Sequence, residues 1–127
     1  MRTKVLSVAV VLAVSGSMWS AGVASGRALI DTTVTIKTQN GDFWGTVKSP
    51  RPKLCARNRK VVLFKQLGAE QAPATDKKIA SDIASLNGSR YEWNTGNTHI
   101  YGRYYARVGR SGSCKADTSE TVRSKRP

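Results

Sequence analysis

The stretch IYGRYYARVGR, residues 100–110, sets glycine, alanine and valine in alternation with arginine and tyrosine. Successive side chains of a β-strand point to opposite faces, so this period of two decides the local structure. Counted from Gly102, the even positions Gly102, Tyr104, Ala106 and Val108 form an apolar face for a core, with the Tyr104 hydroxyl at its rim. The odd positions Tyr101, Arg103, Tyr105 and Arg107 form a face for water. The stretch reads as a half-buried strand of fixed register.

The neighbouring segments repeat the pattern. Thr32 to Thr38 alternates with Val34 and Ile36 on one face, and Asn40-Gly41-Asp42 is a turn signal. Phe43, Gly45 and Val47 share the inner face of the next strand, which leaves Trp44, Thr46 and Lys48 outside. Trp44 is then either exposed as a contact or covered by the N-terminal strand. Ser49 to Arg59 is a proline-bearing basic loop, and Lys60 to Leu67 is the most apolar strand. Gly68 to Asp76 is a polar loop without periodicity. Lys78 to Ser85 fits a strand better than a helical turn, although Ile79 and Ile83 are four apart. Asn87-Gly88 marks a turn, Arg90 to Trp93 alternates again, and Lys115 to Arg123 makes a final strand. About seven short strands separated by turns predict an all-β chain, a single antiparallel β-sandwich.

Ahead of this lies MRTKVLSVAVVLAVSGSMWSAGVASG. Arg2 and Lys4 precede an apolar run, Val5 to Val14, and then small residues suited to cleavage. These features predict a signal peptide over residues 1–24, cut after Ala24 or else after Gly26 or Ala28. The alternative is an uncleaved anchor helix, which Ser15, Gly16, Ser17 and Ser20 argue against. The β-sandwich is expected over residues 25–123 and a basic tail over 124–127. The chain of 127 residues carries a net charge of +13, and removing Arg2 and Lys4 with the leader leaves 13 − 2 = +11.

Both cysteines, Cys55 and Cys114, fall in the exported part, where an even count argues for one disulfide. A single histidine and this spacing fit no zinc site, and no cofactor is implied. Residues 48–60 hold Lys48, Arg51, Lys53, Arg57, Arg59 and Lys60 with no acid among them. Residues 101–115 hold Arg103, Arg107, Arg110 and Lys115, again with no acid. A Cys55–Cys114 bond would crowd Arg57, Arg59, Arg110 and Lys115 at one end of the sandwich. Such crowding opposes folding unless anions visit it.

The order Gly45-Thr46-Val47, Val61-x-Leu63, Ser81-Asp82, Asn87-Gly88, Tyr91-x-Trp93, Gly102-x-Tyr104 and Val108 resembles the carboxypeptidase regulatory-like domains over about residues 40–110. These have a prealbumin-like, Ig-like sandwich. The strings GRYYARV and CKAD are similar to those of small exported bacterial proteins on this sandwich. The resemblance implies an attached structural or binding module. One departure is that Ser85 or Leu86 stands where an aspartate commonly precedes the Asn-Gly turn. Transthyretin-type hydrolases share the topology, but they use several histidines and a C-terminal tyrosine-arginine-glycine-serine end that this chain lacks.

Little else suggests catalysis. His99, at the start of a strand, suits a rim position. Asp82 and Glu92 suit surface ion pairs with Lys78 or Arg90, and bridged cysteines offer no thiolate. The expectation is a secreted, non-catalytic module. Its expected anion-binding set is Arg57, Arg59, Arg103, Arg107, Arg110 and Lys115, with Trp44, Tyr101 and Tyr105 as contact aromatics. Guanidinium groups pair with phosphate or carboxylate, and tyrosines stack on rings. Export favours an anionic envelope polymer, acidic glycan or lipid headgroup as partner, with nucleic acid bound only non-specifically. The alternative is a structural or protein-interaction domain whose charge serves solubility.

Overall fold

The computed structural model describes residues 28–125. The expected leader, residues 1–24, and the end of the basic tail lie outside the described residues. The first sheet contains β1 (Thr33–Val34), β2 (Lys37–Gln39), β3 (Asp42–Lys48), β6 (Ser85–Asn87) and β7 (Arg90–Asn97). Its order is β1-β3-β7-β6, with β2 also on β3. The second contains β4 (Lys60–Lys65), β5 (Lys77–Ile83), β8 (Gly102–Val108), β9 (Asp117–Thr118) and β10 (Val122–Ser124). Its order is β10-β8-β4-β5, with β9 also on β8. Every pairing between these named strands is antiparallel, and the two sheets pack face to face as a β-sandwich. A short helix, α1 (Pro52–Cys55), with proline in its first turn, interrupts the basic loop.

There are ten strands among the described residues rather than about seven, because three of the expected strands are each interrupted, giving β1 and β2, β5 and β6, and β9 and β10. The first break falls at Thr35, whose carbonyl accepts from Trp93 Nε1 at 3.0 Å. Gly45 makes room for this contact, since a Cβ there would stand 1.9 Å from the Thr35 oxygen and 2.8 Å from Trp93 Nε1. The C-terminal break falls at Ser119, whose hydroxyl accepts the Ala106 N–H at 2.8 Å in place of a backbone carbonyl. Ser124, assigned above to the tail, ends β10 opposite Gly102 and is buried. The turn between β2 and β3 has positive φ at Asn40 (51°) and Gly41 (90°), which suits a tight hairpin.

The core lies between the sheets. Val34, Ile36, Phe43, Val47, Tyr91 and Trp93 meet Val61, Leu63, Tyr104, Ala106 and Val108. Phe43 and Tyr104 pack with ring centroids 4.5 Å apart. The even face of residues 102–108 is therefore the inner one, although the Tyr104 hydroxyl is sealed inside rather than at the rim.

The outer face of the second sheet differs from expectation. Tyr105 has no exposed surface and stacks on Phe64 at 5.3 Å, on the face opposite the core. The segment 66–76, which includes the expected polar loop 68–76, covers them. Asp76 accepts from Tyr105 Oη (2.6 Å), Leu67 N (3.0 Å) and Ala72 N (2.7 Å). Gln71 Nε2 donates to Ser119 O (2.9 Å) and Thr121 Oγ1 (2.8 Å), which ties the cover to the C-terminal strands. The Tyr105 hydroxyl, followed by the Leu67 and Ala72 N–H groups, holds the Asp76 carboxyl below the ordinary aspartate range. Burial, together with the Asp76 charge, pushes the Tyr105 hydroxyl far above its ordinary value. Tyr105 is a structural residue, not a surface contact.

Candidate functional site

The disulfide gathers the basic segments as charge alone would not. Cys55, at the end of α1, joins Cys114, with 5.4 Å between their Cα atoms. The N-terminal segment closes the corner, as Ile30 N donates to Ser113 O (2.7 Å) and Lys115 N to Ile30 O (2.8 Å). Closing a loop of 59 residues is worth about 4 kcal/mol on the chain-entropy model.

Arg59 sits inside this corner, 4 % exposed. Its Nη1 donates to Thr32 Oγ1 (3.1 Å) and Cys55 O (2.8 Å), and its Nη2 to Gly109 O (2.6 Å) and Lys115 O (3.0 Å). Burial lowers its pKa, but the guanidinium stays charged. The planar fork thus clamps the helix to the turn that carries Cys114, and its bonded donors are turned away from any anion. This corrects the expectation that Arg59 serves an anion site.

The rest of the expected set divides. Lys115 pairs with Asp31 at 2.8 Å, both well exposed. Arg103 and Arg107 are half-buried on β8, and Arg107 Nη1 donates to Thr118 Oγ1 at 2.7 Å. Tyr101 is half-buried. Arg57 and Arg110 remain exposed on the two segments the disulfide joins, and Arg51 and Lys53 are exposed beside them. Next to α1, Lys48, Ser49, Pro52, Ser89, Arg90 and Tyr91 line a cleft of about 320 Å³ with Thr46 and Val47. Arg90, expected above as an ion-pair partner for Asp82 or Glu92, instead reaches this cleft through the pairing of β3 with β7.

The outer face of the first sheet stays open. Trp44 is 36 % exposed, flanked by Lys37 on β2 and Asn94 on β7. The N-terminal strands lie beside Trp44 without covering it. On one side is a cleft of about 430 Å³ lined by Trp44, Asp82, Ser85, Asn87, Glu92 and Asn94, with Gly45 and Trp93 at its base. On the other is one of about 550 Å³ lined by Gln39, Asn40, Asp42, Phe43, Trp44 and Asn94. Asp82 and Glu92 do not form the expected ion pairs. Asp82 Oδ2 instead accepts from Asn94 N (2.7 Å), and Glu92 Oε1 from Asn87 Nδ2 (2.7 Å). His99 is exposed in the turn before β8, with a φ of 57°.

These features define a two-sheet antiparallel sandwich with one disulfide, a basic end and an open polar face. No helix among the described residues is long and apolar enough to cross a membrane. No protein-family model matches the chain, and no curated protein matches it in sequence.

Proposed function

We propose that the protein is an exported, non-catalytic binding module of the carboxypeptidase regulatory-like kind, which engages an anionic envelope polymer through the disulfide end of the sandwich. The observation that carries this reading is the set Arg51, Lys53, Arg57 and Arg110, exposed around the disulfide and in no ion pair among the described residues. Unneutralised guanidinium groups on a braced corner suit paired hydrogen bonds to phosphate, sulfate or carboxylate. The disulfide is consistent with an oxidising compartment. Lys48 and Arg90, beside the cleft next to α1, extend the same positive surface.

The test is retention on heparin, lipoteichoic acid and anionic phospholipid vesicles across a salt series. A variant with Arg51, Arg57 and Arg110 replaced by serine is run alongside. Selective retention near physiological ionic strength, lost in the variant, supports the reading. Binding to every anion alike that disappears as salt rises favours a structural domain whose charge serves solubility.

A further inference from the structure

We propose that the open face of the first sheet is a second binding site, for a neutral pyranoside chain, with Trp44 as its stacking platform. It is independent of the basic end. The two clefts beside Trp44, about 430 and 550 Å³, are open to solvent and lined mainly by polar groups, as suits a chain lying along a surface. The indole stands between them, with Asn94 common to both.

The polar side chains around the indole are held in place but not used up. The Asn94 N–H fixes Asp82 through Oδ2, and the Asn87 amide fixes Glu92 through Oε1. Asn94 is itself held by its Oδ1, which accepts from Gly96 N at 2.6 Å. Asp82 Oδ1, Glu92 Oε2 and Asn94 Nδ2 take no part in these bonds and remain for a ligand. Groups fixed before binding lose little freedom when a ligand arrives.

The chemistry narrows the occupant. The net charge, +13 for the chain and +11 without the leader, disfavours a polycationic partner at long range. Asp82 and Glu92 inside one cleft, and Asp42 in the other, disfavour a polyanion at short range. A neutral ring meets neither penalty. It must also offer an apolar face to the indole and hydroxyl donors to the carboxylates. A pyranose has both, as axial C–H bonds on a face and hydroxyls around the edge. β3 spans seven residues at about 3.3 Å each, a length that matches several consecutive sugars.

The experiment is calorimetry and saturation-transfer NMR on the full chain with cellohexaose, maltohexaose and chitohexaose, at about 0.15 M and about 1 M salt. At least one hexasaccharide is expected to bind with an affinity that changes less than twofold between the two salts. Trp44→Ala should weaken it at least tenfold while leaving heparin retention intact. Trp44→Thr, which keeps strand propensity, serves as the second variant if the alanine protein is not folded. The serine variant of the basic end should bind the sugar normally, so each site can fail without the other. Absence of binding by all three sugars overturns the proposal. So does binding that survives loss of the indole, or that falls steeply with salt.

Discussion

The two outer faces of this sandwich each carry aromatic side chains, and the chain treats them in opposite ways. On the second sheet, Phe64 and Tyr105 are roofed by the segment 66–76, and the Tyr105 hydroxyl ends on Asp76. On the first sheet, Trp44 stands over β3 with a cleft on either side. The difference teaches that an outward aromatic is not in itself a contact residue. It is structural where the chain supplies its own cover and available to a partner where it does not. Tyr105 therefore contributes to stability, and Trp44 is left open to a partner.

The comparison can be broken most severely beneath the open face. Gly45→Ala would press a Cβ onto the Thr35 carbonyl and Trp93 Nε1, backbone and buried indole that cannot yield cheaply. The expected outcome is a protein that does not fold, seen as loss of near-UV circular dichroism. On the covered face, Tyr105→Ala removes a buried ring and should cost about 3–5 kcal/mol, measured by urea denaturation.

A pH series sharpens the contrast further. The Asp76 carboxyl is held below the ordinary aspartate range in the folded protein, so its stabilising contribution is present above that range. It is lost as pH falls through the lowered value, where the folded state must take up the proton it had refused. Urea midpoints measured from about pH 6 to about pH 2 should therefore fall more steeply for the native protein than for Asp76→Asn. The smallest expected effect belongs to Trp44→Ala. If that indole serves a partner rather than the fold, its loss should lower the unfolding free energy measured by urea denaturation by no more than about 0.5–1 kcal/mol.

The sequence by itself determined the inner half of this molecule. The alternation at 43–47 and 102–108 placed Phe43, Val47, Ala106 and Val108 in the core, and Asn40-Gly41 and Asn87-Gly88 located hairpin turns. It worked because one buried face imposes a period of two that each strand carries in its own residues. The pairing of Cys55 with Cys114 was legible because a chain with two cysteines offers each a single intramolecular partner.

Only the tertiary structure decided which polar residues are spent inside the fold. Arg57 and Arg59 look alike in an acid-free loop, yet Arg59 is buried because the carbonyls of Cys55, Gly109 and Lys115 converge on it. Tyr105 and Trp44 look alike as outward aromatics, yet the segment 66–76 covers one sheet and leaves the other open. The acceptors that bury Arg59 come partly from fifty or more residues away, and the bonds that fix the cover join Asp76 to Tyr105 and Gln71 to Ser119 and Thr121, again distant in the chain. Such contacts leave no period in the sequence, because they are set by how the ends of strands meet and not by the residues along any one of them.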